Sequence, residues 1–237
     1  AYQNKALDAV RIVCVGAGAA GIASMKLLQS LGAAPDNIVM CDSKGVVHTG
    51  SDDLNPQKQE FAIDTDLRTL SDAMAGADVF IGVSGPGLVS QDMVRSMAPN
   101  PVVFALANPT PEILPEEAHA VRDDVIMATG RSDYPNQVNN VLCFPFLFRG
   151  ALDVRSRSIN HGRQIAAVHA IADLARQPVP EVVKDAYDMQ DISFGPNYIL
   201  PTPLDPRLSY FFSPAVAAAA VDSGAARTGY PAHYPKR

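Results

Sequence analysis

Several protein classes are excluded by what this sequence lacks. It has three cysteines (Cys14, Cys41 and Cys143), an odd number, and the first two fall inside apolar runs. That argues against a disulfide framework or a thiolate metal site and for reduced, buried thiols. The five histidines (His48, His119, His161, His169 and His233) are scattered without the spacing of metal ligands. Charged residues make up 19% of the chain, the net charge is −6, and there is no basic block, so the electrostatic footprint of a nucleic-acid binder is missing. No apolar run approaches the length of a membrane span, and no secretory-type leader pattern opens the sequence. A cytoplasmic protein without a membrane or nucleic-acid partner is the expectation. Internal repeats and low-complexity tracts are also absent.

What is present begins with composition. Apolar residues are 47% of 237, enough for a sizeable core in one large domain or one domain with appendages. The strongest local signal is Arg11-Ile12-Val13-Cys14-Val15-Gly16-Ala17-Gly18-Ala19-Ala20-Gly21. An apolar strand runs into G-x-G-x-x-G, then into a helical pattern through Leu31, then into a second apolar run ending at Asp42. This is the strand–turn–helix–strand context of a dinucleotide fingerprint. Gly16 permits the tight turn. Gly18 lets backbone approach a pyrophosphate, and Gly21 lets the helix pack on the strand. The helix N–H groups and the positive end of its dipole, at Ala19 and Ala20, face the phosphates. Asp42 stands at the ribose position.

Further along, apolar strands over 78–83, 101–106 and 124–128 alternate with short helices over 90–97 and 114–121. A helix follows Pro56, and another covers 69–74. The strands are continuous apolar runs, as in a sheet covered on both faces. A doubly wound parallel α/β sheet of Rossmann type with extra C-terminal helices is predicted. Its strand carboxyl ends carry small, polar, Gly or Pro residues, on the edge where such sheets bind ligands. The last third reads as a core-packed helix over 144–153, a helix over 163–174, a break at Pro178 and Pro180, an extended segment over 198–206 and a helix over 214–221. The expected organisation is a helix tail or linker over 1–9, a dinucleotide-binding domain over 10–225 and a tail over 226–237. Residue 1 is Ala, and the chain is expected to begin partway through a longer protein.

The segments Val15–Gly21, Cys41-Asp42-Ser43-Lys44-Gly45, Ala107-Asn108-Pro109-Thr110-Pro111-Glu112 and Asn139-Asn140-Val141-Leu142-Cys143-Phe144-Pro145 with Phe148–Asp153 together resemble malic enzymes, most closely the bacterial multi-domain kind. The resemblance covers roughly residues 5–225. It implies oxidation of L-malate at C2 with reduction of NAD or NADP, then loss of CO₂ to give pyruvate; a homo-oligomer is also expected, from self-association of an exposed face. The resemblance also implies a Mg²⁺ or Mn²⁺ ion, a hard cation bridging substrate oxygens. Under it, Gly16, Gly18, Ala19, Ala20 and Gly21 line the pyrophosphate, and Asp42 or Ser43 meets the adenosine ribose. Asn108 lies by the nicotinamide ribose and malate, and Asn140, beside Asn139, bonds malate. By themselves, Asn108 also reads as a turn residue and the asparagine pair as a helix cap.

The family's general base, general acid and most metal ligands precede its glycine fingerprint, and Tyr2 and Lys5 do not sit in the matching motifs. No catalytic residue or metal ligand is therefore assigned here, and the chain by itself is expected to bind dinucleotide without turning over malate. Asp42 favours NAD through the ribose 2′-hydroxyl. Ser43, Lys44 and Lys58 favour the 2′-phosphate of NADP, and the balance leans to NADP. Two other readings stand beside this one: an amino-acid dehydrogenase-like oxidoreductase, and a non-catalytic dinucleotide-binding or assembly module.

Overall fold

The first apolar run forms β1 (Ile12–Val15), with all four side chains buried. The structure is a computed structural model that describes residues 5–52, 54–188 and 191–236, and a 3-10 turn over Leu7–Ala9 precedes β1. Residues 1–4, most of the leading half of the expected N-terminal tail, lie outside the described residues. The chain divides into two compact units, Ala1–Pro135 and Asn136–Arg237.

In the first unit, β1 leads through the glycine turn into α1 (Ala19–Ser30) and then β2 (Ile38–Asp42). A two-residue strand, β3 (Gly45–Val46), turns back antiparallel on β2. It is too short for periodicity to reveal. Pro56 takes the first position of α2 (Pro56–Gln59), and the Asn55 side chain caps it by accepting from the Lys58 amide. Thr69 and Asp72 form a reciprocal capping box on α3 (Leu70–Met74). β4 (Val79–Gly82) follows, then α4 (Gln91–Ser96), capped by Ser90 accepting from the Met93 amide. β5 (Val102–Ala105), α5 (Pro115–His119) and β6 (Ile126–Thr129) complete the unit.

The strand order is β3-β2-β1-β4-β5-β6, with every pairing parallel except that of β3. Alternate side chains point to opposite faces. Val13, Val39, Phe80, Val103 and Met127 pack under α3, α4 and α5, while Ile12, Cys14, Ile38 and Met40 pack under α1 around Met25. Both faces are therefore covered, as the continuous apolar strands require. Phe80 is fully buried, which contributes about 1.5–3 kcal/mol.

The second unit is helical: a 3-10 turn over Asn140–Leu142, α6 (Phe146–Asp153), α7 (His161–Ala175), α8 (Glu181–Ala186) and α9 (Arg207–Asp222). Two expectations need correction. The helix predicted over 144–153 is not packed in a core along its whole apolar face. Instead Phe144, Phe148 and Leu152, four residues apart, are exposed at 61%, 45% and 71%. Arg149 and Asp153 mark the helix's polar side, but the apolar arc opposite them is wider than the packing covers, so Phe148 and Leu152 stay outside. The packing chooses Gly150, where a Cβ would come within 2.4 Å of the Ser213 carbonyl oxygen of α9. The last helix starts at Arg207, not Pro214, so Pro214 sits inside it. A mid-helix proline costs ~3 kcal/mol. Burial of Leu208, Phe212 and Val216 along one stripe offsets that cost. Among the described residues after Thr228 there is no helix or strand, yet Tyr230 and Tyr234 pack against Val154, Ala217 and Ala220. The Tyr234 hydroxyl donates to Asp153.

Candidate dinucleotide site

The strand order reverses between β2-β1 and β4-β5, so the turn after β1 stands at the switch point of the sheet. Gly16 there has φ +114°, and a Cβ on it would lie 2.8 Å from the Val83 carbonyl oxygen at the end of β4. Its amide donates to the Cys41 carbonyl at 2.9 Å, which pins the turn to β2. A Cβ on Gly21 would lie 2.1 Å from the Gly16 carbonyl oxygen, so only glycine lets α1 come this close. Gly18 differs from both. An added Cβ there meets nothing within 4 Å. Gly18 is the N-cap of α1 in extended conformation and gives the helix no side-chain cap. Among the described residues no side chain caps the first amides of α1, and Gly18, Ala19 and Ala20 are exposed. An uncapped helix start facing open space suits an anionic pyrophosphate.

At the end of β2, Asp42 Oδ2 accepts from Lys58 Nζ at 2.7 Å, and Oδ1 accepts from the Lys44 amide at 2.8 Å. Both partners in the ion pair are mostly buried, at 16% and 15% exposure. Burial pushes the Asp42 carboxyl up, but the hydrogen bonds from Lys58 and Lys44 outweigh it and hold the group below its ordinary range. Lys58, sixteen residues away in sequence, is thereby brought to Asp42. Ser43 and the Lys44 side chain are exposed beside them. A cavity of about 220 Å³ adjoins this corner, lined by Asp42, Lys44, His48, Ser51 and Arg68 among others. His48 and Arg68 were not expected from the sequence; neither sits in a motif, and only the fold carries them to the Asp42 corner.

Asn108 follows β5 on the same carboxyl edge, exposed, before a cis peptide to Pro109. Asn140 belongs to the second unit, where it is exposed and opens the 3-10 turn. The cap of that turn is Asn139, whose side chain accepts from the Val141 amide at 3.0 Å. Among the described residues, no group of three or more His, Cys, Asp or Glu side chains is placed to hold a metal ion. No helix among them is long and apolar enough to cross a membrane.

A sheet covered on both faces, a glycine turn at its switch point and an uncapped helix start behind that turn define a Rossmann-type dinucleotide-binding domain. The chain belongs to the malic enzyme NAD-binding domain family, whose model matches residues 1–194. That membership sets aside the amino-acid dehydrogenase alternative. The chain is 64% identical over 232 residues to an NADP-dependent malic enzyme of Halomonas elongata, covering 98% of this chain and 55% of that protein. A Rhizobium meliloti NAD-dependent malic enzyme is 48% identical over 224 residues, with 94% and 29% covered. The crystal structure of Entamoeba histolytica malic enzyme superposes with a TM-score of 0.81 at 36% identity, covering 95% of this chain and 45% of that one. The chain thus spans about half, or less, of the length of the relatives it matches.

Proposed function

We propose that this chain is the cofactor-binding part of an NADP-dependent malic enzyme that converts L-malate to pyruvate and CO₂. When bound, the dinucleotide supplies the hydride acceptor for malate C2. The chain's own contribution is to hold and orient it. The uncapped start of α1 receives the pyrophosphate, with Gly18 leaving room for it. Asp42 meets the adenosine ribose, and Lys44 and Lys58 favour a 2′-phosphate. Asn108 orients the nicotinamide side, and Asn140 donates to a malate carboxylate. The family's divalent ion finds no ligand cluster among the described residues, so the chain alone is proposed to bind dinucleotide without turning malate over. The carrying observation is the exposed, uncapped helix start at Gly18, set by two glycines that admit no side chain.

The preference for NADP is supported by the Lys58–Asp42 pair. An ammonium on the ribose carboxylate removes the repulsion that an unpaired Asp42 would exert on a 2′-phosphate. Calorimetric titration of the purified chain with NADP⁺ and NAD⁺, alongside an absorbance assay at 340 nm with malate and Mn²⁺, tests the proposal. Tighter binding of NADP⁺ with no absorbance rise is expected. Absence of binding to either dinucleotide refutes the assignment, and malate-dependent reduction refutes the claim of inactivity.

A further inference from the structure

A fully buried carboxylate joins two loops on the carboxyl edge of the sheet. Glu112 has no exposed surface. Its Oε1 accepts from the Ser84 amide, just past β4, at 3.0 Å, and its Oε2 accepts from the Ala107 amide, just past β5, at 3.1 Å. The main chain reinforces the tie. Val89 N–H donates to the Glu112 carbonyl at 3.0 Å, and Gly87 N–H donates to the Pro111 carbonyl at 3.2 Å. No cation pairs with Glu112 among the described residues. Gly82, the last residue of β4, faces it, and a Cβ there would stand 2.3–2.7 Å from the carboxylate atoms.

The residue type follows from the donors. Two amides at the ends of adjacent strands both point inward, and each must be satisfied when buried. A carboxylate accepts at both oxygens. A carboxamide accepts at one and turns N–H bonds toward the other amide. Burying a charge with amide partners alone is costly compared with an apolar side chain. Its return is a fixed relation between the two loops, and Asn108 is bonded directly to Ala107.

The sheet order places these loops on a particular side. Asp42 ends β2, the pyrophosphate turn follows β1, and β4 and β5 continue in the same direction across the sheet. A dinucleotide with its adenosine at β2 and its pyrophosphate at β1 extends its other half toward the ends of β4 and β5. We infer that Glu112 is a positioning residue for the nicotinamide half of the cofactor, acting by locking the loops after β4 and β5 so that Asn108 and residues 84–87 stand in place. This rests on the dinucleotide assignment above.

The test uses the 237-residue chain with Glu112→Gln and, as a second route, Gly82→Ala, which keeps the carboxylate but crowds it. Two probes are titrated by calorimetry: NADP⁺, and adenosine 2′,5′-bisphosphate, which lacks the nicotinamide half. Both variants should weaken NADP⁺ by about fivefold or more, the loss of one backbone hydrogen bond, and leave the bisphosphate within about twofold. Amide exchange at Ser84 or Ala107 should quicken in the same variants. Equal weakening of both probes, or a lowered melting point with unchanged NADP⁺ affinity, marks Glu112 as merely structural and overturns the inference. A wild-type chain that binds neither probe overturns the dinucleotide assignment, and this inference falls with it.

Discussion

Single residues carry opposite duties in the glycine turn. Gly16 and Gly21 are needed for folding, because a Cβ at either meets backbone oxygen at 2.8 Å or less. Gly18 has open space instead, with no positive φ to forbid a side chain. Gly18→Val is therefore expected to keep the circular dichroism spectrum and melting point while abolishing dinucleotide binding in calorimetry, since the side chain occupies the pyrophosphate's space. Undiminished affinity would remove this loop from the site. Lys58 is the second informative residue. Lys58→Ala strips Asp42 of its ammonium partner, which restores a carboxylate that accepts from a 2′-hydroxyl and repels a 2′-phosphate. NADP⁺ should weaken more than NAD⁺, by roughly 1.5–3 kcal/mol if one charge-assisted bond is lost, and Lys44→Ala in addition should widen the gap. Equal losses for both cofactors would make these lysines ordinary surface charge.

Among the elements, the 3-10 turn over Asn140–Leu142 separates two roles that the sequence left open. Asn139 holds the cap through its bond to the Val141 amide, so Asn139→Ala should lower stability by about 1 kcal/mol. Asn140 makes no part of the cap. In a full-length parent enzyme, Asn140→Ala should leave the melting point unchanged, raise the Michaelis constant for malate and lower turnover, with cofactor affinity within a few-fold. Normal kinetics for Asn140→Ala would remove it from the substrate site. The short strand β3 and helix α8 show the limit of pattern reading at this scale. Two residues give no periodicity, and a six-residue helix directly behind Pro178 and Pro180 looks like a break.

For the molecule as a whole, carboxyl groups held low in the folded state couple folding to pH, Asp42, Asp124 and Asp153 among them. Two-pronged hydrogen bonding from Arg122 holds Asp124 to about 2. Asp42 and Asp153 are each raised by burial but lowered further by their partners: Lys58 and Lys44 for the first, Tyr234 and Arg149 for the second. A carboxyl depressed in the folded state contributes stability that is complete above the ordinary value, 3.8 here, and is lost as pH falls through the folded value. Melting temperature should be flat from neutral pH down to about 5 and fall between about 4 and 2. A melting temperature unchanged down to pH 2 would show that these pairs do not contribute to folding.

The sequence by itself determined the fold class, the strand–turn–helix of the glycine loop and the structural duties of Gly16 and Gly21. These follow from local pattern: continuous apolar strands, and a strand-to-helix turn with glycine at the two positions where a Cβ would meet backbone oxygen. Only the tertiary structure decided the inner face of α6, the start of α9 beyond Pro214, the pairing of Lys58 with Asp42 and the tie from Glu112 to Ser84. Each depends on a contact between segments distant in the chain. Hydrophobic periodicity encodes how a segment folds. It does not encode which neighbour that segment meets, and the chemistry of the site is set by the neighbours.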